Sequence, residues 1–571
     1  MKYSSKVSQF IPLMLLIVVM VAVVGGVAAQ DGMKVLVTGR QMGASDIPTL
    51  DPSLTQDVPS VQVESELFPG LANLNEETAQ VETGVATWDV SEDGTVYTFH
   101  IQDNIPWVRY NADSGAVEQV MDESGNPRML TAQDFAYSIQ RTLDPITAGP
   151  YQQVLQPWIL GGTEFGTSAP DLAEADRQAL IDALGINVVD DQTLEITTPR
   201  ASSATEVIFA MWITWAEPQW TIDEYGEFWT DPENINTFGP FALKEWVRGD
   251  GGSLTLIKNP FWPGNDTVPQ AKLDEVQFVF LDNEPQLANF EAGTLHVSEV
   301  PASALDRIMA DPTLSAARYV APGSCTYYYG MNAELAPFDD PRVRRAFSEA
   351  IDRQSITENI LKGGQIPASM FSLPSLAAAP TEAEYPGNGV YYNPEDAKAL
   401  WQEYLDETGH QASDFTPSLV YNTNATHEAI AQAVQQMWSE TLGVTVQLTS
   451  QDFATYLDDR GTFEIYRAAW CFDYPDTNNF LYDAGFHSDL LANNDTHWSN
   501  ADYDTLVDEA FSAPTVQERK DLYAQAEHIF VYEQAAIAPI YYYVTQDLTQ
   551  PNVVRTHSVT NREAYEKWDL N

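Results

Sequence analysis

Positive charge is scarce in this chain of 571 residues: Lys and Arg number 28 against 82 Asp and Glu, a balance of 28 − 82 = −54. Such a surface repels phosphate backbones and anionic lipid, which excludes nucleic acid as a partner and basic patches as a membrane anchor. The excess acid reads as a solvated surface suited to salty or acidic surroundings and points to no particular ligand. Cysteine is almost absent. Cys325 and Cys471 are the only two thiols, and neither has a second Cys or His at ligand spacing, so no metal site is expected. Catalytic signatures are missing as well: there is no G-x-S-x-G, no phosphate loop, and "HEAIA" at 427–431 lacks the second His of H-E-x-x-H. Repeats and low-complexity segments are absent. Only one apolar run is long, and it lies at the N-terminus.

That run, "FIPLMLLIVVMVAVVGGVAA", follows Lys2 and Lys6 and ends in small residues before Gln30, the layout of a secretory signal over residues 1–29. The mature protein is expected outside the cytoplasm, with retention of the segment as an anchor as the alternative. No cysteine follows it, so lipid attachment at a new N-terminal Cys is excluded and the protein is not expected to be a lipoprotein. In an exported chain Cys325 and Cys471 sit where disulfides persist, and pairing them would close a loop of 471 − 325 = 146 residues. Two free buried thiols are the alternative at this stage.

The length calls for two to four domains, and strand and helix signals alternate along it. "TVYTFHIQ" (95–102) reads as a strand and "TAQDFAYSIQRTLDP" (131–145) as a helix capped by Thr131, with Phe135, Ile139 and Leu143 on one face. "FGPFALKEWVRGDGGSLTLIKNPFW" (238–262) carries two alternating runs around "RGDGG", a hairpin. Residues 339–364 predict one helix with Asp340 as cap, Pro341 in its first turn and Gly363 at its stop. "HEAIAQAVQQMWSETLG" (427–443) predicts a helix running directly into a strand at 444–448. The fold class is mixed α/β in more than one lobe.

"RAAWCFDYPDTNNF" (467–480) places Arg467, Trp470, Cys471 and Asp473 within seven positions. If 463–473 is a strand, Arg467 and Asp473 share one face about 20 Å apart, too far to pair with each other. A cation and an anion so placed could hold the two ends of an extended zwitterion, because three to five residues span roughly 10–18 Å. Separate structural partners for each charge are the alternative.

Four stretches together, "CTYYYGMNAELAPFDDPRVRRAFSEAIDRQSI" (325–356), "TLDPSLTQDVPSVQVESELFPGL" (49–71), "TAQDFAYSIQRTLDP" (131–145) and "RAAWCFDYPDTNNFL" (467–481), resemble the oligopeptide-binding members of solute-binding protein family 5. The likeness runs from about residue 34 to near the C-terminus. It implies a class II periplasmic-binding-protein (Venus flytrap) fold of two lobes with an extra domain inserted in the first. The segments would be 30–68, 200–324 and 541–571 for the first lobe, 69–199 for the inserted domain and 325–540 for the second lobe. It further implies a monomer without cofactor that binds short peptides between its lobes and hands them to the membrane permease of an ABC importer. The two cysteines match the family's Cys325–Cys471 disulfide.

Carried over by position, Asp473 matches the carboxylate that takes a peptide's α-ammonium, with Trp470 and Cys471 flanking it along the groove. Val58 lies in a segment that meets the peptide backbone, and Tyr151 and Tyr328 match groove tyrosines. Arg467, Arg460 and His427 match groups that meet the peptide carboxylate, and Phe453 stands where relatives have a groove tryptophan. Three positions depart from the pattern: Gln56 and Gly330 replace glutamates, and Leu361, beside Lys362, replaces a lysine. An enzyme, a sugar or metal-chelate binder on the same fold, and a peptide-sensing receptor are the competing functions. A sugar site would have no use for the Asp473/Arg467 polarity.

Overall fold

The computed structural model describes residues 32–571 apart from 40–41, 43–45, 203, 250, 452, 489–493 and 561, and apart from the side chains of 425, 453 and 454. The expected signal segment 1–29 therefore lies outside the described residues. From Lys34 to Asn571 the chain forms one compact unit, and its backbone is one 11-stranded mixed sheet. In order across the sheet the strands are Phe241–Val247, Ser253–Lys258, Glu275–Val279, Val35–Thr38, Val297–Glu299, Ile537–Thr549, Arg318–Met331, Ile465–Cys471, Ser418–Asn422 and Gln447–Gln451. Ile366–Pro367 pairs on the side of Ile537–Thr549.

Two long antiparallel strands, Arg318–Met331 and Ile537–Thr549, carry the chain from one half of this sheet to the other. Their register slips between Pro322 and Thr326. On one side of the slip, Leu548 and Asp547 face Arg318 and Tyr319 while Thr549 joins Val297. On the other side, Cys325 to Met331 pair with Cys471 to Ile465. A slip of this kind bends and twists a ladder locally, so each half can pack its own core.

Around the first half gathers a core of Leu36, Leu67, Phe68, Trp107, Phe135, Trp215, Phe278 and Trp568. It also takes in a separate four-stranded sheet ordered Ala86–Val90, Val96–Ile101, Thr193–Thr197 and Ile186–Asp190. The expected helix stands at Ala132–Leu143: Thr131 N–H donates to Asp134 Oδ2 at 2.8 Å, closing its first turn, and Phe135, Ile139 and Leu143 are wholly buried. The expected hairpin pairs Val247 with Ser253, and Gly251 at φ 72° takes the left-handed turn conformation that other residues resist.

Strand period two divides the second half. Tyr327, Tyr329 and Met331 point into one core with Phe347, Trp401 and Trp438, whereas Tyr328 points into another with Phe371, Phe480 and Phe530.

Three local expectations are corrected. The helix expected over 339–364 is broken: Pro341–Glu349 ends at Ala350, and Asp352 accepts from Ser355 N–H at 3.0 Å to cap a new turn. The last residue before the stop, Lys362, itself adopts φ 57°, so the chain turns one residue before Gly363. The strand after Ala425–Leu442 begins at Gln447 and not at 444, because Val444 and Val446 are buried in the core before the ladder starts. The strand expected over 463–473 covers only Ile465–Cys471, which leaves Asp473 on the following loop.

Candidate functional site

Two neighbouring cavities lie between the halves and share Val58, which begins the helix Val58–Leu67 and is 43% exposed. The smaller, about 100 Å³, is walled by Gln56, Asp57, Tyr151, Met211, Trp212 and Arg562 from the first half and by Phe472 and Asp473 from the second. The larger, about 620 Å³, has Glu299, Leu305 and Asp306 on one side and Leu361, Lys362, Asn424, His427 and Tyr543 on the other. Together they form a groove.

A buried polar network holds the loop that carries Gln56 and Asp57. Arg141 donates to both oxygens of Asp51 at 2.7 Å and to Glu217 Oε2 at 2.8 Å. Ser53 Oγ donates to Glu217 Oε1 at 2.7 Å and Trp229 Nε1 to Asp51 Oδ2 at 2.8 Å. Behind the loop, Gln62 grips the C-terminal segment, its Nε2 donating to the Glu563 carbonyl at 2.9 Å and its Oε1 accepting from Glu563 N–H at 2.6 Å.

Asp473 sits at one end of the groove with neutral partners only. Tyr151 Oη donates to Asp473 Oδ1 at 2.7 Å, a bond between the two halves, and Asn479 Nδ2 donates to Oδ2 at 3.1 Å. Among the described residues no cation pairs with it. Burial pushes its pKa above the usual carboxylate value, while Tyr151 and Asn479 pull the other way. Burial and the adjacent Asp473 carboxylate push the Tyr151 phenol upward, so it remains a donor. Its ring packs edge-on against Trp212, 4.9 Å between centroids.

Arg467 is the opposite case, a half-buried cation with no carboxylate partner among the described residues. It donates to Tyr543 Oη at 2.8 Å and to Asn422 Oδ1 at 3.3 Å, and its guanidinium lies 4.8 Å from the Tyr327 ring centre. It stands one layer behind the larger cavity and reaches it through Tyr543. His427 lines that cavity directly, in the first turn of Ala425–Leu442, and its buried Nδ1 has no hydrogen-bond partner among the described residues. Burial, helped by the charge of Arg467, pushes its pKa down to about 3.

The remaining expected positions divide. Trp470 and Cys471 line neither cavity; Trp470 Nε1 donates to Asn479 Oδ1 at 3.0 Å and so steadies the residue that holds Asp473, and Cys471 is disulfide-bonded to Cys325, its opposite in the ladder. Tyr328 lines neither cavity: strand alternation turns its ring into the second-half core against Phe371 and Phe486. Arg460 is likewise removed from both cavities, because Asp495 Oδ2 accepts from its Nε at 2.6 Å. Phe453 opens the helix Phe453–Asp459, and its side chain is outside the described residues. At Gly330 a Cβ would fall 2.1 Å from the Tyr466 ring, so that ring fills the space a glutamate would need. Sequence reasoning missed Trp212, Tyr543 and Asn479. Asn479 was within the motif at 467–480, but nothing in its spacing announced a link to Asp473.

This arrangement belongs to a known class. Residues 80–489 match the Bacterial extracellular solute-binding proteins, family 5 Middle, and the chain belongs to that family, with its two-lobe α/β fold. Among its relatives is the periplasmic oligopeptide-binding protein OppA of Escherichia coli, 31% identical over 89% of this chain and 87% of the relative. The periplasmic murein peptide-binding protein MppA of Escherichia coli is 32% identical over 88% of this chain and 87% of its own length. The solved structure of the Escherichia coli murein tripeptide binding protein MppA superposes with a TM-score of 0.74 at 28% identity, covering 94% of this chain and 99% of that one.

Proposed function

We propose that this protein captures short peptides in extended form between its two lobes outside the cytoplasm and delivers them, as a monomer without cofactor, to the membrane permease of an ABC importer. One observation carries the reading: among the described residues Asp473, at one end of the groove, is an anion without a cation, and Arg467, one layer behind the larger cavity, is a cation without an anion, with His427, whose buried Nδ1 lacks a partner, lining that cavity. Leaving buried charges unpaired is costly, and a zwitterion supplies both missing partners at once. The relatives named for peptides support the same ligand class. In this reading Asp473 takes the ammonium beside Tyr151, Trp212 and Phe472, and Val58 borders the peptide at the junction of the cavities. His427, Lys362 and the Arg467–Tyr543 pair serve the carboxylate.

The lobes would divide at the register slip, giving 30–68, 200–324 and 541–571 to the first lobe, 325–540 to the second and 69–199 to the inserted domain. The two halves also meet away from Asp473: Trp158 and Arg200 of the first half both lie against Phe511 of the second, at 4.7 and 3.7 Å. Mass spectrometry of ligands released from the purified protein tests the proposal. A ladder of short peptides supports it; sugars or metal chelates alone overturn it. Solution scattering should show a smaller radius of gyration in the peptide-saturated protein than in protein stripped of ligand.

A further inference from the structure

The ammonium end of the groove contains a second carboxylate. Asn479, fully buried, gives one amide nitrogen to two acids: Nδ2 lies 3.1 Å from Asp473 Oδ2 and 3.2 Å from Asp483 Oδ2. Its Oδ1 is taken by Trp470 Nε1 at 3.0 Å and by the Asp473 N–H at 3.1 Å, so the side chain cannot turn over. Asp483 Oδ2 also accepts from Tyr474 Oη at 2.6 Å. The groups facing this pair are Tyr151 from the first half, with Asp57 beyond it and Arg562 in the wall of the same cavity, Tyr474 and Asp476 from the loop, and Arg519 and Tyr523 from the helix Val516–Glu527. Both cations are committed: Arg519 Nη1 donates to Asp476 Oδ2 at 2.8 Å, and Arg562 Nη2 donates to Asn73 Oδ1 at 2.6 Å and to the Leu74 carbonyl at 3.2 Å. Two carboxylates held on one amide, with neutral donors around them, resist ionising together.

We propose that the Asp473–Asn479–Asp483 bridge links ligand capture to proton release: the pair keeps one proton while the groove is empty, and the arriving ammonium replaces it. The inference rests on the peptide reading above and names a regulation of that same site. Burial, and after it the Asp473 charge, push Asp483 up to about 7, so about half of the empty molecules hold the proton there at neutral pH. An ammonium at Asp473 stabilises the anion of its neighbour. The Asp483 O–H bond then breaks, its electron pair stays on the carboxylate, and the proton leaves to solvent. Affinity should therefore climb as pH rises through about 7 and fall again as the α-amine loses its own proton near about 8.

Titration calorimetry with tri-alanine at pH 7, repeated in buffers of different ionisation enthalpy, counts the protons exchanged. The wild type should release about half a proton per peptide bound, Asp483→Asn close to none, and the rising limb of affinity against pH should move to lower pH in that variant. Wild-type heats that do not depend on buffer would overturn the linkage while leaving peptide binding intact, and this holds whether or not the variant folds. Equal proton release by wild type and Asp483→Asn would overturn the assignment to Asp483. Failure of tri-alanine and of a mixed tripeptide library to bind at all would overturn the peptide reading and this inference together.

Discussion

Replacing Asp473 by Asn should weaken binding of peptides with a free amino terminus and at the same time leave the empty protein as stable or more so. The carboxylate is held by Tyr151 Oη at 2.7 Å and Asn479 Nδ2 at 3.1 Å, both neutral donors. An asparagine of the same shape keeps both contacts in one orientation, its oxygen toward Asn479 and its amide donating to Tyr151. The folded-state pKa of Asp473 is raised by burial, so its ionisation costs stability as pH rises through that pKa, and a neutral amide removes the cost. With ligand the sign reverses. An ammonium about 3 Å from the carboxylate gains on the order of 5 kcal/mol at an effective dielectric of about 20, and truncation of such pairs costs about 2–5 kcal/mol, roughly thirtyfold to several thousandfold in Kd. N-acetylation of the peptide deletes the other partner. Calorimetry on the four combinations of wild type or Asp473→Asn with free or acetylated peptide should give losses that are less than additive, alongside a melting temperature no lower than wild type. Equal affinity of wild type for free and acetylated peptide would refute the ammonium site, and a variant that simply unfolds would recast Asp473 as structural.

Three further outcomes follow from the geometry. Arg141→Ala strands Asp51 and Glu217, whose side chains are 6% and 0% exposed, and should cost about 3–5 kcal/mol in chemical denaturation. Because Glu217 already sits at about 7 for reasons of burial, that loss should be larger at pH 8 than at pH 5, where it is protonated; equal losses would refute the network's role. The His427 imidazole, pushed down to about 3 by burial and by Arg467, should show no titration by NMR between about pH 8 and pH 5, and an inflection near its ordinary value of about 6.5 would contradict its placement. Intact mass under denaturing alkylation should find no free thiol, and Cys325→Ser with Cys471→Ser should lower stability by up to about 5 kcal/mol, the chain-entropy value for a loop of 146 residues; free thiols in the native protein would refute the pairing.

Much of the scaffold was legible in order of residues alone. The helix at 132–143, the hairpin around Gly251 and the helix Ala425–Leu442 with a strand after it all rest on local signals: a cap, a glycine turn and a hydrophobic period. The family motifs marked Asp473, Arg467, His427, Val58 and Tyr151. Local signals failed where the core or a contact from far along the chain outweighed them, as after Ala350, where Ile351 stays in the core and Arg353 Nε donates to the Pro539 carbonyl at 2.6 Å, and at Val444, which joins that core before entering the ladder.

Residue chemistry by itself determined that this protein is acidic, of the α/β class and bearer of the family's motifs. Only the tertiary structure decided which charges lack partners. Arg460 and Arg467 are the same residue type in one short stretch, yet one meets Asp495, 35 residues away, while the other donates, among the described residues, to phenol and amide oxygens. Tyr327 and Tyr328 are adjacent, yet the pleat sends one toward Arg467 and the other into a core. Side-chain type fixes what a group can donate, accept or ionise, but its solvation and its partners are set by segments hundreds of residues distant, so an unpaired charge exists only once the chain has folded.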